Sequence, residues 1–153
     1  MTQALKVLSE IWKSGAGIVV LPDGSLKLEN YQLVPNETLK AAEPIFPQIE
    51  EWFKSWEEAK AIDKHIRMMV HQACGWQHNA KLNEWVCADV ESLTLFMDWQ
   101  ESLAKNGWND IYEDYRQFEN DESNVMKQKI YERAVLYAYQ KPYELLPHPY
   151  LLE

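Results

Sequence analysis

With 153 residues, 46% of them hydrophobic and 12% aromatic, the chain has material for one ordinary packed domain or two very small ones, and a globular protein is expected. The formal net charge of −9 repels nucleic acid and anionic membranes over most of the surface and argues against phosphate-contact binding. No stretch approaches the roughly 20 apolar residues of a membrane helix, and Met1 to Leu8 lacks the basic start and apolar run of a secretory signal, so a cytoplasmic protein is expected.

From Thr2 to Ser14, Ala4, Leu5, Leu8, Ile11 and Trp12 recur at the spacing of one buried helix face. Gly15 and Gly17 stop that helix. Ile18-Val19-Val20 and Leu26-Lys27-Leu28 then flank Pro22-Asp23-Gly24-Ser25, where Gly24 supplies the positive φ of a tight turn, and the pair reads as a β-hairpin. After Val34, Asn36 is placed to cap a helix of about two turns, limited by Pro44 and Pro47. A further helix from Pro47 to about Ile62 turns Ile49, Trp52, Phe53 and Trp56 inward. This order, carried by Ala4 to Leu8, Gly15 to Ile18, Asp23 to Leu26 and Glu37 to Leu39, resembles the TubC-type docking domains of hybrid peptide–polyketide synthetases. The resemblance implies a small α-β-β-α-α unit over residues 1–60.

Residues 61–153 are expected to be mainly helical. Ile62, Ile66, Met69, Val70 and Cys74 mark a helix that Gly75 ends. Glu84-Trp85-Val86-Cys87-Ala88 has the composition of one short strand. Asp89 can cap a helix running through Leu93, Phe96, Met97, Trp99 and Leu103, with Lys105-Asn106-Gly107 as its stop. A last helix spans about Ser123 to Tyr139, and the proline-bearing tail after Lys141 is expected to be extended. The fold class is therefore α+β.

Motifs for chemistry are sparse. His71, Cys74, His78 and Cys87 are the one metal-like grouping, and their spacing matches no common zinc pattern, so no metal or other cofactor is expected. Cys74 reads as core, with the histidines at the helix end; His65 and His148 have no recognisable partners. Both cysteines are expected as thiols, being too few for a disulfide framework. Phosphate-loop, H-E-x-x-H and G-x-S-x-G patterns are absent, and the carboxylate pairs Glu50-Glu51 and Glu57-Glu58 read as solvated helix decoration. No enzyme is expected.

Residues 110–122 hold one Arg and six Asp/Glu, a net of −5 out of −9. Within 105–122, Trp108, Tyr112 and Phe118 are spaced to anchor a turn while Asp110, Glu113, Asp114, Glu119, Asp121 and Glu122 are forced outward, since ionised carboxylates are not buried unpaired. On composition alone the segment reads equally as a solvated loop or as a fixed negative patch. The run K-N-G-W-N-x-x-Y-E-D-x-x-x-F-x-N-D from Lys105, with Asn83 to Val86 and the following helix, is similar to a phage anti-CRISPR family that blocks a type II RNA-guided nuclease by mimicking its PAM. The resemblance implies a protein partner, namely the basic DNA-reading surface of a CRISPR effector nuclease, and implicates Tyr112, Glu113 and Asp114. Carboxylates fit the guanidinium forks that otherwise grip guanine. Tyr115 departs from the pattern, standing where that family has another acid. The rival expectation is a docking module that adds a partner strand at Ile18 to Val20 or Leu26 to Leu28.

Overall fold

The computed structural model describes residues 2–140; the tail and His148 lie outside the described residues. The fold is α+β and mainly helical, with one two-stranded antiparallel sheet among the described residues. By Cα proximity it divides into two compact units. One comprises the described residues up to Ala59 with Gly75–Gln77 and Tyr112–Asp114; the other comprises Lys60–Cys74, His78–Ile111 and the described residues from Tyr115 onward. The two short excursions into the first unit are invisible to a linear reading.

In the first unit, α1 (Thr2–Lys13) buries Ala4, Leu5, Val7, Leu8 and Ile11. Strands β1 (Gly17–Val20) and β2 (Leu26–Glu29) pair in register, Val20 opposite Leu26 and Gly17 opposite Glu29. Their loop closes through Gly24 N–H to Leu21 O and Leu21 N–H to Ser25 O, both 2.8 Å, with Gly24 at φ 87°. This is the three-residue hairpin loop that ends in a left-handed residue. Asp23 locks it by accepting from the Ser25 N–H at 2.9 Å.

Helix α2 (Asn36–Ala42) has Pro35, not Asn36, at its cap position and no side-chain cap bond. Pro35 holds φ −57° and ψ 143°, so helical geometry begins at Asn36 and removes it from the capping position. A 3₁₀ turn, Glu43–Ile45, leads into α3 (Phe46–Lys54), which buries Ile49 and Trp52. Helix α3 stops well short of Ile62. Ser55 Oγ donates to Trp52 O at 2.6 Å, and the N–H groups of Trp56, Glu57 and Ala59 bond carbonyls three residues back. The side chain competes for the carbonyl and the chain tightens, so Trp56 is buried from a turn rather than from a helix.

The second unit contains α4 (Ala61–Ala73), α5 (Ala80–Ala88), α6 (Val90–Lys105) and α7 (Asp121–Gln140). Residues 84–88 are helical, correcting the strand reading. Asn79 accepts from Leu82 N–H at 3.0 Å and starts α5, which buries Leu82 and Trp85 at i and i+3. The β-like composition of 84–88 is overridden by the cap and helix formers that precede it. On α4 the buried face is broader than a stripe, taking in His65, Ile66, Met68, Met69, Val70 and His71. The His65 ring lies 5.6 Å from that of Trp85 and 5.7 Å from that of Tyr131, partners the sequence did not reveal. Cys74 is half-buried and not core, while Cys87 is exposed. Asp89 caps α6 as expected, accepting from Ser92 N–H and Ser92 Oγ, and it also binds Arg133 of α7 at 2.8 Å. No helix among the described residues is long and apolar enough to cross a membrane.

Candidate partner-binding segment

The chain from Asn106 to Asn120 is positioned by its two ends. At the first, Gly107 takes φ 112°, its N–H bonds Ala104 O and the Trp108 N–H bonds Leu103 O, each at 3.0 Å. This pair of bonds satisfies the open carbonyls of α6 and turns Trp108 inward, where it is 8% exposed. Asn106 Nδ2 donates to Phe118 O at 2.9 Å, closing the span back on itself.

At the second end, Asn120 accepts from Ser123 N–H and Ser123 Oγ accepts from Asn120 N–H, both at 2.9 Å, a reciprocal cap on α7. Tyr115 opens a 3₁₀ turn, Tyr115–Phe118. Its ring meets Trp99 edge-on at 5.3 Å, and its hydroxyl donates to Asp63 O at 3.3 Å. Tyr115 is thus a core anchor, buried at 4% exposure. Tyr112, Tyr115 and Phe118 at three-residue spacing carried that signal.

Of the six carboxylates and one tyrosine expected at a binding surface, Asp110, Asp121 and Glu122 are exposed, and the latter two sit in the first turn of α7, where negative charge is favoured. Glu119 is turned inward: Lys127 of α7 bonds it at 2.5 Å and Asp63 of α4 at 2.6 Å. Burial would lower the pKa of the Lys127 ammonium, but the bonds to Asp63 and Glu119 outweigh it and hold it above the usual lysine range. Lys127 was missed, although it sits on the face shared by the buried Ser123, Ile130 and Ala134 and so interrupts an inward stripe.

The remaining three positions belong to the first unit. Tyr112 is half-buried and stacks on Trp76 with rings 5.7 Å apart and 6° from parallel. Glu113 is half-buried, and Asp114 is only 9% exposed, which corrects the expectation that every acid points outward. The structure therefore divides the expected site: four positions lie in the second unit and three in the first.

Among the described residues no three His, Cys, Asp or Glu side chains gather in a way that could hold a metal. His71 is buried and His78 exposed, on opposite sides of the Gly75 break. No protein-family model, curated protein or solved structure matches the chain.

Proposed function

We propose that the protein is a non-enzymatic inhibitor of a bacterial defence nuclease of the CRISPR type, and that it occupies the DNA-reading surface by presenting acidic side chains of 110–122. The observation that carries this reading is a concentration of charge beside fixed backbone. Asp110, Asp121 and Glu122 stay exposed next to a glycine-terminated helix end and a reciprocally capped helix start. Backbone that is already ordered adds little entropic cost when its carboxylates meet arginines, and each charge-assisted contact is worth about 1.5–3 kcal/mol.

The burial pattern changes which variants test this. Asp114→Lys would place a cation at a buried position and confuse folding with binding. Asp110→Lys with Glu122→Lys leaves the core alone. Guide-directed DNA cleavage by a panel of type II nucleases should be inhibited by the natural protein and not by that double variant, whose melting temperature should stay within a few degrees. Equal inhibition by both would place the contact elsewhere.

A second reading, strand addition by a docking partner, is favoured by one observation: among the described residues each hairpin strand has a single neighbour, and Val19, Val20 and Leu21 are exposed at 38%, 42% and 37%. Binding of that kind tolerates salt, whereas the acidic contact weakens with it.

A further inference from the structure

A concave surface lies wholly within the first unit, separate from residues 110–122. One wall is the end of β1 and the hairpin loop, with Val20, Asp23, Gly24 and Ser25; the other is α3 and the turn after it, with Glu50, Glu51, Phe53, Lys54 and Glu57. The groove has a volume of about 940 Å³. Its apolar contribution is Phe53 and Val20, and Val20 is 42% exposed between the equally uncovered Val19 and Leu21.

The charge on this surface is predominantly negative. Among the described residues, Glu50, Glu51 and Glu57 form no ion pair, and Asp23 bonds only Ser25. Lys54 is the one cation in the lining. Like charges lining a concavity reinforce one another's field and raise the local concentration of counter-charge. The same field rejects nucleic acid and anionic lipid. These acids are spread along two walls and do not converge as metal ligands would. A polar solvated face needs no apolar floor, yet Val20 and Phe53 are left in position to seat a side chain.

We infer that this groove binds a short cationic segment of a partner protein. Lys or Arg side chains of the segment meet Glu50, Glu51 and Glu57, and an apolar side chain between them rests on Phe53 and Val20. The assignment requires neither the acidic segment nor strand addition at the hairpin edge.

The test uses the full chain and three labelled peptides: one alternating Lys and Leu, one with Ser in place of Leu, and one with Glu in place of Lys. Fluorescence anisotropy should show the Lys-Leu peptide binding best, the Lys-Ser peptide more weakly, and the Glu-Leu peptide not at all. Amide shifts on titration should centre on Val20, Gly24 and Phe53. Glu50→Lys with Glu57→Lys should weaken the Lys-Leu peptide by about tenfold or more, while Asp110→Lys with Glu122→Lys should leave its affinity unchanged. If the first pair impairs folding, Glu50→Gln with Glu57→Gln replaces it, with the same direction expected. No binding, equal binding by the groove variant, or shifts centred on 110–122 would each overturn the proposal.

Discussion

Trp52 is 2% exposed and packs against Trp12, Phe53 and Trp56 with ring centres 5.0–6.0 Å away. Trp52→Ala should cost about 3–5 kcal/mol, read as a lower denaturant midpoint. Lys127 tests a different physics. Removing it as Lys127→Met leaves Asp63 and Glu119 enclosed without their cation, and a loss of about 3 kcal/mol is expected. Because the folded pKa of Lys127 stands above its ordinary 10.5, its contribution is complete below pH 10.5 and is lost as pH rises through the higher folded value. Urea midpoints of the natural protein and Lys127→Met should therefore differ below that pH and converge above it. The aromatic core was legible because Trp52 and Trp99 fall on apolar helix faces. Asp114 and Glu119 were not, because composition shows a carboxylate's charge and not its partner: Glu119 finds Lys127 eight residues on, across a helix start.

At the scale of elements, the ends decide more than the interiors. Asp89 caps α6 through Ser92 and also holds Arg133; the Ser92 hydrogen bond lowers its pKa below the ordinary 3.8, burial opposes and Arg133 assists. Its contribution is therefore complete above pH 3.8 and lost as pH falls through the lower folded value. Asp89→Ala should cost about 1–3 kcal/mol at neutral pH, and the difference from the natural protein should vanish in acid. Gly107→Ala should cost about 1–2 kcal/mol, since φ is 112° and the added methyl would make only ordinary contact with Phe118 at 3.5 Å. A circular-dichroism melt that matches the natural protein would contradict that account of the turn. The hairpin and the Gly107 stop were readable because glycine at a forced positive φ is a local signal. Residues 84–88 and 55–60 were misread for the opposite reason: a cap at Asn79 and a hydroxyl at Ser55 override what the neighbouring composition suggests.

For the molecule as a whole, the proposed action is to exclude DNA from a nuclease by standing in the DNA's place. Electrostatic complementarity makes such association fast at low salt and weak at high salt. The most direct measurement is competition: a panel of guide-loaded type II nucleases is held at fixed concentration with a labelled short PAM-containing duplex, and the protein is titrated in at low and at raised salt. The duplex should be fully displaced from at least one nuclease, with the midpoint moving to higher protein concentration as salt rises, and Asp110→Lys with Glu122→Lys should displace nothing. Simultaneous binding of protein and duplex, or displacement that ignores both salt and the double variant, would contradict it.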